Sequence, residues 1–69
     1  MFSLRLQKAT QTREFLISDV SAEGWEIREE RDSVVVRVVR YGDWHRVERA
    51  RRVFEREVAE LREHGWTVI

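Results

Sequence analysis

The stretch Asp43–Gly65, DWHRVERARRVFEREVAELREHG, decides the architecture. Val47, Ala50, Phe54, Val58 and Leu61 recur at helical spacing along one stripe, while Arg49, Arg52, Arg56, Glu60 and Glu63 occupy the other side. That is the pattern of an amphipathic helix with one face on a core. Asp43, following Gly42, is placed as an N-cap, and Gly65 is placed as the left-handed residue beyond the last turn. The spacing therefore predicts one helix from Asp43 to His64, about 22 residues and roughly 30 Å long.

Upstream, Trp25 to Arg31 and Val34 to Tyr41 are rich in β-branched and aromatic residues, and the turn formers Asp32 and Ser33 separate them, which predicts a hairpin. Pairing Arg31 with Val34 sets Ile27 against Val38 and Trp25 against Arg40, so that Trp25, Ile27, Val36 and Val38 would share the face under the helix. Only Arg37 interrupts the run Val34 to Val39. Such a run on an exposed edge invites aggregation, so a central, covered strand is expected.

Residues 1–24 admit two readings. In one, Phe2, Leu4 and Leu6 alternate as a strand, residues 8–12 form a loop, residues 13–20 form a second strand, and residues 21–24 turn the chain with Gly24 in left-handed backbone. In the other, residues 10–23 form a helix, which gives a split βαββαβ, ferredoxin-like order. Thr, Ser, Asp, Phe, Ile and Val are middling or poor helix formers, and their density over residues 10–21 favours the strand. The expected fold is thus a single α+β domain over residues 1–69, an antiparallel three- to four-stranded meander packed on one long C-terminal helix.

Composition narrows the function. The chain has 69 residues, 13 Lys+Arg against 13 Asp+Glu, and no cysteine. A chain of this size buries only roughly 60% of its unfolded surface. Its three Trp, three Phe and one Tyr must supply much of the core unless a second chain helps, so a homo-oligomer, most simply a dimer, is expected. Without cysteine there are no disulfides, thiolate nucleophiles or zinc-thiolate sites. The longest apolar run, Val34 to Val36, is far short of the ~20 residues that span a bilayer, and no signal peptide is visible, so a cytoplasmic location and no membrane partner are expected.

The residues that could carry chemistry do not converge. His45 and His64 stand at opposite helix ends, about 28 Å apart. His45 and Glu48 could offer two metal ligands where a closed site needs four. The carboxylates lack the cleft that general acid and base work requires, and no phosphate-binding glycine loop or nucleophile elbow is present. The expectation is a non-catalytic protein with no metal and no cofactor.

The charge order along the helix is less ordinary. Its first half sets Arg46, Arg49, Arg51 and Arg52 against Asp43 and Glu48, and its second half sets Arg56 and Arg62 against Glu55, Glu57, Glu60 and Glu63. This polarity opposes the helix macrodipole. An antiparallel homodimer would lay the basic half of one helix on the acidic half of its mate. Alternatively, His45, Arg46, Arg49, Arg52 and Arg56 form a small footprint for nucleic acid, with Trp44 placed to stack on a base. The apolar ending, Trp66, Val68 and Ile69, could add a strand to the chain's own sheet or to that of another chain. The expected role is an interaction or accessory module that self-associates through its helix or C-terminal strand. Its candidate surface is Trp44, His45, Arg46, Arg49, Arg52, Arg56, Glu60, Glu63, Trp66, Val68 and Ile69. An unidentified protein partner and nucleic acid are the other partners considered.

Overall fold

Asp32 and Ser33 both take left-handed backbone, with φ of 50° and 67°. Two consecutive left-handed residues make the type I′ turn whose twist matches that of a two-residue hairpin, and Asp tolerates this region because its short side chain bonds locally. Here the Asp32 carboxylate accepts the Thr12 backbone N–H at 2.9 Å, and the Asp32 N–H is donated to the Thr12 carbonyl at 2.9 Å. The turn is thereby tied to the neighbouring strand.

The computed structural model describes residues 2–21 and 24–69. Its elements are β1 (Phe2–Lys8), β2 (Gln11–Ser21), β3 (Gly24–Arg31), β4 (Val34–Tyr41), α1 (Trp44–Glu63) and β5 (Thr67–Val68). The strands form one sheet in the order β4-β3-β2-β1-β5, with every neighbouring pair antiparallel. This is the expected α+β meander under a C-terminal helix, with a fifth short strand. The ferredoxin-like alternative falls, because Gln11–Ser21 is a strand and not a helix. Its β-branched and aromatic residues meet partners on both sides, which outweighs any helical spacing. The turn expected at residues 21–24 has its central positions outside the described residues.

The core is Leu6 from β1, Phe15 and Ile17 from β2, Ile27 from β3, and Val47, Phe54 and Val58 from α1. The helix begins as expected: the Asp43 carboxylate accepts the His45 N–H at 2.9 Å. It ends at Gly65, whose φ of +94° permits the Trp66 N–H to return to the Leu61 carbonyl at 3.1 Å. Trp44 packs against Trp25 with their rings tilted at 57° at one end of the sheet, and the Lys8 ammonium donates to the His64 carbonyl at 2.7 Å at the other. The helix therefore runs diagonally, from the corner where β4 ends to the corner where β1 ends. That path delivers the last residues to β1, where Val68 pairs with Leu6 and the Ile69 N–H reaches the Arg5 carbonyl at 2.9 Å. Among the described residues no helix is long and apolar enough to cross a membrane.

Two expectations about β4 are corrected. Arg31 does pair with Val34, but a bulge between Glu29 and Glu30 on the β3 side leaves Val36 as an extra residue, so Ile27 pairs with Val39 and Trp25 with Tyr41. One inserted residue moves everything beyond it to the opposite face. Arg37, Val39 and Tyr41 thus lie on the helix side, and Val38 and Arg40 on the open side. The valine run is also not central. β4 is the outermost strand, and Val34, Val35, Val36 and Val38 are exposed, Val34 by 63%. A meander leaves its last strand at the edge, and the diagonal helix moves away from that edge as it proceeds.

Gly24 has a φ of +140°, and a Cβ there would lie 2.2 Å from the Tyr41 carbonyl oxygen, a backbone atom that cannot swing aside. Gly24→Ala is expected to cost about 2 kcal/mol in urea unfolding, from strained backbone and clash together. Gly65→Ala meets only the Lys8 side chain at 3.6 Å and is expected to cost about half as much. Equal losses at the two sites would show that the close approach at Gly24 has no energetic consequence.

Candidate functional site

The diagonal path of α1 leaves a trough of about 370 Å³ between its N-terminal half and β4. Ala50 and the exposed Val53 provide an apolar floor over the buried Ile27 and Phe54, and Arg37, Tyr41, Arg46 and Arg49 stand around it. The bulge at Val36 creates this arrangement, because it brings Arg37 and Tyr41 to the same side as the helix. Arg46 and Arg49 come from the first turns of α1 at a spacing of three, which places them on one face.

These arginines differ from most others in the chain. Arg5, Arg13, Arg28, Arg31, Arg40, Arg51 and Arg52 each lie within 4 Å of a carboxylate. Among the described residues Arg37, Arg46 and Arg49 have no such partner. Glu29 lies directly across from Arg37 in the strand register, yet its carboxylate is taken by Arg13 at 3.5 Å and Arg31 at 3.7 Å. The Asp43 carboxylate caps the helix and Glu48 turns to Arg52, so the nearest acidic groups on α1 are also engaged elsewhere. Three cations that repel one another around an apolar floor raise the local potential, which an anionic ligand would relieve.

A second polar cluster lies under the other half of the helix. Arg13, Arg31, Glu57, Glu60, Leu61 and His64 surround a cavity of about 280 Å³. The Arg13 guanidinium sits over the Phe15 ring, 5.3 Å from its centre, and its Nε and the Glu57 Oε2 are buried without a hydrogen-bond partner among the described residues. His64 Nδ1 lies 2.8 Å from the Glu60 carbonyl and so is engaged with its own helix. Among the described residues no three of His, Asp and Glu converge on a position that could hold a metal ion.

The residues singled out in the sequence scatter over these surfaces. Arg46 and Arg49 enter the trough. His45, Arg52 and Arg56 are exposed outside it, and Arg52 lies 3.9 Å from Glu48 within the helix. Trp44 rests against Trp25 at 5.3 Å and still shows 45% of its surface. Glu60 borders the second cavity and Glu63 is exposed. Trp66 is half-buried against the core, and Val68 and Ile69 continue the chain's own sheet beside β1. Sequence reading missed Arg37 and Tyr41. Valines of both parities in Val34–Tyr41 hide which face these two residues take, and the bulge at Val36 decides it.

Comparison with protein-family models, with curated proteins and with solved structures finds no match to this chain.

Proposed function

We propose that this chain is a small, non-catalytic interaction module that works as a homodimer, two copies joining edge to edge through β4. The observation that carries this reading is the combination on one strand of an unpaired sheet edge and four exposed valines, Val34, Val35, Val36 and Val38. Unpaired backbone groups along such an edge are a template for another strand. The other surfaces considered have less to offer. The Arg51–Glu55 and Arg52–Glu48 pairs already join charges within the helix, and β5 is only two residues long with one side on β1.

A second copy is the partner that fits. Antiparallel self-pairing of two β4 edges satisfies the free backbone groups of both copies and brings their exposed valines together. An isologous contact of this kind closes at two copies. Cross-strand pairs contribute roughly 0.2–1 kcal/mol each, so the dimer draws on several at once.

Sedimentation or light scattering at tens of micromolar is expected to give the dimer mass. Val36→Lys with Val38→Lys is expected to give the monomer mass with an unchanged far-ultraviolet circular dichroism spectrum, since both side chains already face solvent. A monomeric wild-type chain, or a dimer that survives this double substitution, would overturn the reading.

A further inference from the structure

We infer that the trough between α1 and β4 is a nucleotide site, taking a phosphate on Arg37, Arg46 and Arg49 and the planar base on Tyr41 and the apolar floor. Each half of such a ligand answers one half of the trough. Guanidinium groups are planar forks that meet phosphate oxygens through paired, charge-assisted hydrogen bonds, and these three arginines have no carboxylate partner among the described residues. A base offers a flat apolar surface to the Tyr41 ring, Ala50 and the exposed Val53, where an inorganic phosphate would leave those groups wet.

Size points the same way. A volume of about 370 Å³ is near the lower end of small-ligand sites, room for one nucleotide unit and not for several. An extended acidic peptide matches the trough less well, because its carboxylates would answer the arginines and leave the aromatic wall unused. The unit can come as a free mononucleotide or as one residue of a single strand, and both share the same chemistry. Neutral total charge, with 13 basic and 13 acidic side chains, limits a single strand to a short contact. Three phosphate contacts would make binding about 20-fold weaker between 50 and 200 mM salt.

Calorimetric titration of the full chain with adenosine 5′-monophosphate, adenosine, inorganic phosphate and a mixed-sequence single-stranded oligonucleotide tests this. Adenosine monophosphate is expected to bind at least tenfold more tightly than adenosine or phosphate. If the unit is read only within a strand, the oligonucleotide binds instead, with the salt dependence above. In either case Arg37→Glu, Arg46→Glu and Arg49→Glu are each expected to weaken binding at least tenfold, while Arg62→Glu at the far end of the helix leaves it unchanged. The inference is overturned if neither ligand binds, if phosphate binds as tightly as the nucleotide, if an acidic peptide binds in preference, or if the three groove substitutions have no more effect than Arg62→Glu. Titration reads the trough and sedimentation reads the edge, so the failure of one leaves the other standing.

Discussion

Phe54→Ala is expected to remove about 3–5 kcal/mol, a large share of the stability of a chain this size. Phe54 is 2% exposed at the centre of α1, with its ring 4.9 Å from that of Phe15 and 6.1 Å from that of Phe2. It is the residue through which the helix holds both β1 and β2. Truncation forfeits the transfer of a large side chain, the tilted ring contacts and the packing around the hole left behind. A domain of this size has roughly 3–10 kcal/mol in all, so the loss is comparable with the total. Thermal unfolding followed by circular dichroism is expected to show the midpoint falling by about 12–40 °C. Val53→Ala, one residue earlier and 39% exposed, is expected to stay within about 1 kcal/mol. A Phe54→Ala protein that melts within a few degrees of wild type would mean that the helix is held chiefly by other contacts.

The helix that carries Phe54 was legible in the sequence because three independent signals agreed: a stripe at helical spacing, Asp43 before it and Gly65 after it. The Asp32–Ser33 turn and the first two strands were readable for similar local reasons. The bulge was not. In VVVRVVRY a valine stands at positions of either parity, so hydrophobic alternation holds no information about which face any of them takes, and a one-residue shift costs the pattern nothing. From that ambiguity came the misplacement of Val38 under the helix and the omission of Arg37 and Tyr41 from the candidate site. The edge position of β4 escaped for a different reason. Strand order depends on where the helix carries the chain next, and the diagonal that brings His64 to Lys8 is set by three-dimensional packing of Trp44, Phe54 and Leu61. Half of the trough, Arg46 and Arg49, was therefore visible as a helical stripe, while the half on β4 became visible only with the register.

The register also determines which buried carboxylate matters. Glu26 and Glu29 are equally buried, 7% and 8% exposed, on opposite faces of β3. Glu26 on the open face holds Arg28 at 2.8 Å and Arg40 at 3.8 Å, and both arginines are well exposed. If Glu26 is removed, they turn to water, and Glu26→Ala is expected to cost about 1 kcal/mol. Glu29 on the helix side faces Arg13, whose side chain is only 16% exposed, lies over Phe15 and already has an unpartnered Nε. Glu29→Ala removes the one carboxylate within ion-pair distance of that guanidinium among the described residues, a change worth about 3–5 kcal/mol in fully buried pairs. The 3.5 Å separation is longer than a charge-assisted hydrogen bond, which places the expected loss at about 3 kcal/mol. Urea unfolding of the two single variants measures the contrast. Glu29→Leu combined with Arg13→Met is expected to recover most of the loss, because an apolar pair of similar size has no charge to desolvate. Equal losses for Glu26→Ala and Glu29→Ala would show that burial of the carboxylate, and not confinement of its arginine partner, sets the cost.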